Sequence, residues 1–485
     1  MTNAATVRGN GFFAKKAPSS ATLLVGEITN ALKGTGLAAG QLPDPLHQEV
    51  KNVGIEAIQR GKTVYCPPAG LEALRIGASV AYEEEFGVVY DWLSQIGVRG
   101  GGKGGLSSLF ETVLTQSPTP ANPDYDGRNK VIIPDDQWLS YVPMVANQGH
   151  IITVPSPASQ GYKMSAGDLR TAIAEHDPKI ILWADPGNPT GASHTRPEIE
   201  AQNEVLADNP QLIAVSEIMY RKIMFEGKKY EHHLKVDPTL ADRFILNDCF
   251  SKYSFGHMPG PRVGIVAGPS DIIKAMNGNA SHSQGNANSI GQWMGVGVLF
   301  GEKIALQAMD LDGDTSAVEK LLRSNQALDE YHRLDEHYLT MAPILEGRRD
   351  MVVEKLSNAG FDVPIPDGSF YVYPDMSRFI GMKVPEGLEL FGGADPAILD
   401  SINQKFGTNL KPMGGQTIKN STDMSNLLLL HAGAGVVDGA EFNPIKASDR
   451  PSTAFRMAIV LPDEKLKAVT DRIVTVTNNL RPSIG

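Results

Sequence analysis

Short apolar, β-branched segments alternate with amphipathic segments through the centre of the chain, between about residues 131 and 268. The apolar runs are VII at 131–133, followed by HIITVP, KIILWAD, LIAVSEI, FILN and VGIVAG. Between them lie DLRTAIAEH and RPEIEAQNEVLA, in which apolar residues recur at spacings of three and four. That spacing predicts helices, and strands that alternate with helices predict a mainly parallel, doubly wound α/β sheet.

The flanking segments predict a second, smaller α+β domain built from both ends of the chain. Residues 1–64 would form an arm, a helix over 21–32 and part of this domain. A long helix near 316–356 would join it to the large domain, residues 65–340. Residues 341–485 contain the strand-like runs GSFYVYP, AGVVDG and AFRMAIV and a terminal helix from Asp463. The polar, glycine-rich stretch 381–426 has weak periodicity, which is typical of an insertion.

Composition and charge mainly exclude certain classes of protein. The 485 residues are 41% hydrophobic and 20% charged, which is ordinary for a globular protein. The net charge is −11 without a dense Lys/Arg run, so nucleic-acid binding is not indicated. Cys66 and Cys249 are far apart, which excludes a disulfide scaffold and a cysteine zinc site. Because the sequence shows neither a signal peptide nor a membrane span, we expect a soluble cytoplasmic protein.

Polar side chains follow three successive predicted strands. PGNPTG comes after KIILWAD and contributes Asn188, while LIAVSEI ends at Glu217, three residues before Tyr220. FILNDCFS continues into Lys252, and PGPRVG follows with Arg262. Each group alone is typical of a turn or a solvated side chain, but ligands of such sheets bind at the carboxyl ends of the strands. Together they suit an aldehyde cofactor that carries a phosphate, a phenolate and a pyridine nitrogen.

On these residues the sequence resembles the class I/II aminotransferases, which are fold-type I pyridoxal-phosphate (PLP) enzymes. Four motifs carry the resemblance in the family's order and spacing: DPGNPTG at 185–191, EIMY at 217–220, SK at 251–252 and PGPRVG at 259–264. Four further segments extend it: YCPPAGLEALR at 65–75, GGKGGLSSLF at 101–110, VIIPDDQW at 131–138 and AFRMAIV at 454–460. The resemblance implies that residues 65–340 bind PLP.

The resemblance implies roles around the cofactor ring. Lys252 would hold the cofactor as a Schiff base and move the proton at the substrate Cα. Glu217 would pair with the pyridine nitrogen, so that the ring can act as an electron sink. Asn188 and Tyr220 would hydrogen-bond the ring oxygen, and Trp138 would stack on the ring.

The resemblance also implies a phosphate site where a glycine loop opens a helix, because amide groups and an arginine suit an anion. The cofactor-binding residues implied there are Gly102, Lys103, Gly104, Ser251 and Arg262. The Lys103 side chain could instead point to solvent.

The remaining implied residues concern the substrate and a second subunit. Arg456 would hold the substrate α-carboxylate, since guanidinium presents a bidentate fork that lysine lacks. Gly40 and Asn188 would also contact the substrate. Tyr65 would reach the phosphate of a neighbouring subunit, which implies a homodimer.

Three positions depart from the family's usual pattern. Glu217 stands where Asp is usual, so the same charge sits on a side chain one methylene longer. Cys249 stands where a phosphate-binding Ser is common. Arg262 follows Lys252 by ten positions, a longer spacing than usual, which indicates an altered loop between them.

Three other patterns are similar to ligand-binding motifs but depart from them. GVRGGGK at 97–103 is close to a nucleotide P-loop but continues with Gly104 in place of Ser or Thr. DLDGDTSAVE at 310–319 has its glycine at the fourth position rather than the sixth, so we predict a helix cap instead of a calcium loop. The pair His232-His233 lacks a second ligand cluster, so an exposed pair is predicted and no metal site.

The reaction implied is transamination between an amino acid and a 2-oxo acid. A PLP-dependent lyase or synthase, acting by elimination, replacement or decarboxylation, stays open as an alternative. A non-catalytic PLP-binding regulator is a remote alternative, because the N-terminal arm is too short for a basic DNA-binding module.

The substrate side chain is weakly constrained. The segment 278–292, where dicarboxylate-specific relatives have a partner-subunit Arg, contains no Arg or Lys. We therefore predict that aspartate and glutamate are not bound by that route. His282, Asn286 and Asn288 would instead favour a polar or uncharged side chain.

Overall fold

The computed structural model describes residues 20–42, 45–114, 128–146, 148–252, 255–442 and 452–482. The predicted arm before residue 20 lies outside this part. The strands are β1 (Thr35–Gly36), β2 (Ile96–Arg99), β3 (Lys130–Pro134), β4 (His150–Val154), β5 (Ile180–Ala184), β6 (Ile213–Glu217), β7 (Phe244–Cys249), β8 (Gly264–Ala267), β9 (Tyr371–Val372), β10 (Met382–Lys383), β11 (Ala434–Gly435), β12 (Val437–Asp438), β13 (Phe455–Ala458) and β14 (Arg481–Pro482).

A seven-stranded sheet in the order β2-β8-β7-β6-β5-β3-β4 forms the centre of the molecule. Only β8 runs antiparallel to its neighbours, so the predicted mainly parallel sheet is confirmed. All six predicted runs form strands, and five of them, all except the edge strand β4, are largely buried, which selects continuous apolar sequence. β2 is an additional strand that the sequence pattern did not predict.

The helices are α1 (Ala21–Ala31), α2 (Gln48–Gln59), α3 (Glu72–Phe86), α4 (Gly101–Val113), α5 (Tyr141–Val145), α6 (Ala166–His176), α7 (Arg196–Asp208), α8 (His233–Val236), α9 (Ser270–Ser283), α10 (Ser289–Asp310), α11 (Thr315–Leu322), α12 (Asn325–Leu339), α13 (Met341–Asn358), α14 (Ala397–Phe406), α15 (Ser421–His431) and α16 (Asp463–Asn478). Ile132 and Ile181 belong to a core that includes α3 and α10. Val131 and Ile133 belong to a second core with α4 and α9. Helices thus cover both faces, and the doubly wound fold is confirmed.

The predicted long helix near 316–356 is wrong, because α11, α12 and α13 occupy that stretch. The Ser324 hydroxyl accepts a hydrogen bond from the Ala327 amide and starts a new helix at that point. The Asp314 side chain accepts from the Ala317 amide at the start of α11, so the predicted helix cap in 310–319 is confirmed. The longest helix within the described ranges is instead α10, which is interrupted at Gly301, where φ is 73°.

The C-terminal runs form small sheets, and the N-terminal segment joins them. β12, β13 and β9 make an antiparallel sheet, and β1 pairs in parallel with β11. The stretch 381–426 is more regular than its weak periodicity indicated, since it holds β10, α14 and the beginning of α15. The domain boundaries near residues 64 and 340 stay a prediction.

The predicted exposure of the pair His232-His233 is wrong, since both side chains are 1% exposed. The His233 ring packs 4.7 Å from that of Trp183 and its Nε2 hydrogen-bonds Gln202 Oε1 at 3.0 Å. Burial lowers the pKa of His232 to about 3, and that of His233 well below its ordinary value. Both rings are therefore neutral parts of the core. Over the described ranges, no helix is both long and apolar enough to cross a bilayer.

Candidate active site

The ends of the central strands open onto one cavity of about 320 Å³. Most of the predicted site residues line it: Gly40, Gly102, Lys103, Trp138, Asn188, Glu217, Tyr220, Ser251, Lys252, Arg262 and Arg456. Two predicted residues, Gly104 and Tyr65, are not among its lining residues. The cavity therefore collects groups that lie more than 400 positions apart in the chain.

Sheet register explains how the ring-binding groups meet. In the parallel ladder, Ala184 at the end of β5 lies opposite Glu217 at the end of β6, and Glu217 lies opposite Asn247 of β7. Asn188 and Lys252 follow β5 and β7 by a few residues. Because parallel strands end at the same edge of a sheet, these side chains converge there.

Glu217 is fully buried at the floor of the cavity. Its Oε2 accepts a hydrogen bond from the Tyr141 hydroxyl at 2.5 Å, and its Oε1 accepts from Asn247 Nδ2 at 2.9 Å. Burial raises the pKa of this carboxyl to about 7, although both hydrogen bonds and Lys103 act in the opposite direction. A cation beside Glu217, such as a protonated pyridine nitrogen, would favour its ionised form.

Tyr141 and Asn247 are site residues that the sequence analysis missed. Tyr141 lies one turn after Trp138, and the two rings meet edge to face at 5.6 Å. Tyr141 thus contacts both Trp138 and the Glu217 carboxylate. Asn247 is a polar residue inside the apolar run FILN, a pattern that could have marked it.

One end of the cavity, where the resemblance places a phosphate, lies between the start of α4 and Arg262. Gly101 has a φ of 78°, and a Cβ there would lie 2.7 Å from Arg262 Nη2, so only glycine permits this approach. Arg262 Nη1 donates to Ser251 Oγ at 3.3 Å and to the Pro259 carbonyl at 3.0 Å. Arginine, a hydroxyl and a helix N-terminus together suit a phosphate.

Lys103 is exposed yet lines the cavity, with its Nζ 5.0 Å from the centroid of the Trp138 ring. Burial and then Arg262 lower the pKa of Lys103, while Glu217 raises it. Over the described ranges no carboxylate pairs with it at ion-pair distance. Cys249 also lines the cavity, and burial raises the pKa of its thiol.

Lys252 reaches into the cavity from the loop after β7. Its ammonium donates to the Gly40 carbonyl and lies 5.2 Å from the centroid of the Phe370 ring. Gly40 has no room for a side chain, because a Cβ would collide with the Tyr371 hydroxyl. The N-terminal segment therefore approaches the lysine through its backbone.

Arg456 forms the other end of the cavity and is 2% exposed. Its Nη1 donates to Asn188 Oδ1 at 2.9 Å and its Nη2 to the Ala38 carbonyl at 2.6 Å, while its Nε is a buried donor with no partner in the described structure. Tyr371, a third missed residue, stacks 4.4 Å from the Arg456 guanidinium, and its hydroxyl lies 3.5 Å from that of Tyr220. The sequence marked Tyr371 only as part of a strand.

The segment around the start of α1 supplies a further wall that the sequence analysis missed. Ser20, Thr22 and Leu23 line the cavity, and Leu23 keeps 66% of its surface exposed. Nothing in the local pattern distinguished these residues from those of an ordinary amphipathic helix.

Tyr65 lies on a separate surface and is 93% exposed. A shallow depression of this surface is lined by Tyr65 together with Asn286 and Asn288. Asn288 Oδ1 accepts from the Gly291 amide and caps α10, and Asn286 Nδ2 donates to the Ala287 carbonyl. His282 lies in the last turn of α9, outside this depression. The two asparagines are thus engaged locally.

Comparison with known proteins identifies the family. The family model described as "Aminotransferase class I and II" matches residues 33–317. A probable aspartate/prephenate aminotransferase from Rhizobium leguminosarum bv. phaseoli is 33% identical over 376 residues, which cover 76% of this chain and 82% of that protein. An aspartate/prephenate aminotransferase from Cereibacter sphaeroides is 29% identical over 440 residues, 90% of each chain.

Solved structures share the fold. The aspartate aminotransferase of Rhizobium meliloti superposes with a TM-score of 0.72 at 24% identity, covering 96% of this chain and 100% of that one. The Thermus thermophilus aspartate aminotransferase with maleate gives a TM-score of 0.70 at 23% identity, covering 96% and 97%. With the family match over more than half of its length, the chain belongs to the class I and II aminotransferases and is a PLP-dependent aminotransferase.

Proposed function

We propose that PLP occupies the cavity at the strand ends, attached to Lys252, and that the enzyme transfers amino groups of acidic amino acids. The observation that carries this proposal is the convergence of Lys252, Glu217, Asn188 and Arg456 on one cavity. Its volume of about 320 Å³ is at the lower end for a small-molecule site. Bound PLP would supply an electron sink for the bond that breaks at the substrate Cα.

The donors and acceptors of the cavity fit the groups that PLP presents. Glu217 accepts hydrogen bonds and can face a protonated ring nitrogen, while Asn188 and Tyr220 would donate to the ring oxygen. The phosphate would lie against Arg262 and Ser251 with the amide of Gly102, close to the start of α4. Trp138 would cover one face of the ring.

Two residues then act on the substrate. The Arg456 guanidinium would bind the α-carboxylate, since its Nε lacks a partner and its ring contact with Tyr371 holds the plane of the fork. Asn188 would hold Arg456 from the side. The Lys252 amine would take the proton from the substrate Cα and deliver it to the aldehyde carbon of the cofactor, on the other side of the shared nitrogen, which requires an unprotonated amine in a partly dry site.

An acidic substrate is proposed from the relatives and from Lys103. The relatives named above act on aspartate and prephenate by their names, and the cavity offers Lys103 as a cation without a carboxylate partner. We propose that Lys103 faces the distal carboxylate. Recognition of the distal carboxylate by Lys103 differs from recognition through the partner's segment 278–292, which contains no Arg or Lys. It also differs from recognition by Asn286 and Asn288, whose side chains hydrogen-bond the neighbouring backbone of their own chain.

A homodimer is proposed because Tyr65 is 93% exposed and is not among the residues that line the cavity in the described part of its own chain. Its hydroxyl would reach the phosphate held by the second subunit. Ile55 and Ile58 on α2, together with Val64, are apolar and more than half exposed, which suits a surface buried by another copy.

Visible absorbance of the purified protein tests the cofactor and its anchor. We expect a yellow band that Lys252→Ala abolishes, while Lys103→Met retains it. Aspartate should bleach the band of the wild type, with a 2-oxo acid as product, and alanine should do so less efficiently. A protein that stays colourless after incubation with PLP would contradict the proposal. Ammonia release without bleaching would favour a lyase.

A further inference from the structure

The loop that carries Asn188 is closed by a buried carboxylate. Asp185 ends this loop on one side, and Ser193 and His194 end it on the other. The Ser193 hydroxyl donates to Asp185 Oδ1, and the His194 backbone amide donates to Oδ2 at 3.0 Å. The His194 imidazole Nδ1 approaches Oδ2 at 2.7 Å. Three donors from one end of the loop thus converge on a carboxylate at the other end.

The far side of the His194 ring is held as well. Gln202 Nε2 donates to the Met164 carbonyl at 2.7 Å, which orients its amide. The same nitrogen lies 3.2 Å from His194 Nε2, which therefore accepts and leaves the proton on Nδ1, facing Asp185. The other end of the amide, Oε1, accepts from His233 Nε2 at 3.0 Å. The Gln202 amide, oriented by the Met164 carbonyl, thus specifies both the tautomer and the orientation of His194, and His233 only fills the remaining acceptor of that amide.

All four side chains are buried. The exposed fraction is 3% for Asp185, 8% for His194, 2% for Gln202 and 1% for His233. A buried carboxylate is costly unless hydrogen bonds compensate it, and here three groups from the far end of the loop do so. The Asp185 amide also donates to the Glu217 carbonyl at 3.1 Å, which ties the loop to the strand that carries Glu217.

We propose that Asp185 and His194 are positioning residues for Asn188. This inference rests on the proposed function, in which Asn188 faces the ring oxygen of PLP. Asn188 accepts from Arg456 through Oδ1 and has no protein partner for Nδ2 within the described structure. The closed loop thus presents one amide between the cofactor and the group that binds the substrate carboxylate. Loosening the loop would weaken both contacts at once, although neither Asp185 nor His194 touches the ligands.

Two substitutions of His194 separate positioning from packing. Asparagine places its amide nitrogen near the position of Nδ1, so His194→Asn can keep the hydrogen bond to Asp185. Glutamine reaches the position of Nε2, so His194→Gln can keep the contact with Gln202 while losing Asp185. Both remove the ring, and a role in packing alone would make them equivalent.

The experiment titrates the visible absorbance of each PLP-loaded variant with pH and measures KM for aspartate. A donor to the ring oxygen favours the form in which that oxygen carries more negative charge, so losing it moves the midpoint upward. We expect His194→Gln to raise the midpoint by about one pH unit, the size of one hydrogen bond to a charged group, and KM roughly tenfold. His194→Asn should stay close to the wild type in both measurements.

His233→Asn is the matched control. It removes the hydrogen bond to Gln202 Oε1, but the Met164 carbonyl still orients the amide. We expect a lower melting temperature with an unchanged midpoint and KM. If His194→Gln fails to fold, Ser193→Ala removes one donor to Asp185 and should shift the midpoint less, in the same direction.

The outcomes separate this inference from the proposed function. A wild type without a yellow band would contradict the proposed function, because PLP would not be bound. If the wild type is yellow and His194→Gln and Ser193→Ala both have the same absorbance midpoint as the wild type, the positioning role is overturned. Equal shifts in His194→Gln, His194→Asn and His233→Asn would also overturn it, since they would reflect packing.

Discussion

The carboxyl edge of the central sheet and the surface around Tyr65 differ in how completely one chain satisfies their polar groups. At the sheet edge, Glu217 receives two hydrogen bonds and Arg456 donates two, all from the same chain. Around Tyr65, the phenol is 93% exposed and the neighbouring Asn288 only caps its own helix.

The contrast shows which parts of the site are preorganised within one chain. Side chains that are buried and hydrogen-bonded lose little freedom when a ligand binds, so they can orient it at low cost. An exposed tyrosine must be ordered by something else, and a second copy of the chain would do this. The following predictions test each side of the comparison.

The largest expected effect is at the sheet edge. Lys252→Ala should reduce kcat by roughly 10⁴-fold, because it removes both the covalent anchor and the proton-transfer group. The fold should survive, since within the described ranges the Lys252 side chain makes one hydrogen bond, to the Gly40 carbonyl. Turnover with aspartate and thermal unfolding check both statements. Lys274→Ala, outside the cavity, is the control, and a Lys252→Ala enzyme of near-wild-type turnover would contradict the assignment.

Glu217→Gln should change the pH dependence of stability in the PLP-free protein. Burial raises the pKa of Glu217 from 4.5 to about 7, so the folded state holds a proton that the unfolded state releases between these values. The stability linked to this proton is fully present below pH 4.5 and is lost as the pH rises through 7. Glu217→Gln carries no such charge. Its free energy of unfolding should therefore exceed that of the wild type by roughly 3 kcal/mol at pH 8.

Denaturant unfolding of both PLP-free proteins at pH 5 and pH 8 measures this difference. Glu204→Gln, at an exposed position, should track the wild type at both pH values. Parallel stability curves for Glu217→Gln and the wild type would show that the carboxyl is solvated rather than buried.

Arg456→Lys keeps the charge but loses the planar fork. We expect KM for aspartate to rise by about 10-fold to 100-fold, since lysine cannot make two parallel hydrogen bonds to a carboxylate. Arg472→Lys, which contacts the Ala432 carbonyl away from the cavity, should leave KM unchanged. Steady-state kinetics measure KM for aspartate in the two variants. Equal KM values would mean that Arg456 does not bind the substrate carboxylate.

The smallest effect belongs to the Tyr65 surface. Tyr65→Phe removes one hydroxyl that has no role in its own chain, so the unfolding of the PLP-free chain should not change. The dissociation constant for PLP should increase about tenfold, the size of one hydrogen bond to a phosphate. Titration of the yellow band measures it, with Val89→Ala as an exposed control. Unchanged affinity in a dimeric protein would mean that Tyr65 does not reach the phosphate.

Much of the fold was predictable because buried parallel strands need continuous apolar runs, and all six predicted runs form strands. β2 was missed because IGVR is short and ends in Arg99, whose charged end is held by the Asn277 side chain and the Val98 carbonyl. The break between α11 and α12 was missed because one capping serine is a weak pattern inside a long periodic stretch.

The candidate site was predictable where a group follows directly after a strand. Asn188, Glu217 and Lys252 stand at such positions, and the cavity brings them together. Tyr141, Asn247 and Tyr371 were missed because their function consists of contacts with residues distant in sequence. The same reason explains the buried pair His232-His233, whose rings pack against Phe244 and Trp183 of other elements.

By itself, then, the sequence determined the order of strands β3 to β8, the family and the chemical types of the groups at the strand ends. These follow from local periodicity and from motifs that span a few residues. The tertiary structure alone decided that Glu217 is buried under Tyr141 and Asn247, that Asp185 closes the loop of Asn188 through His194, and that Tyr65 faces away from its own cavity. Burial and hydrogen-bond geometry depend on which distant segments meet, and no local pattern contains that information.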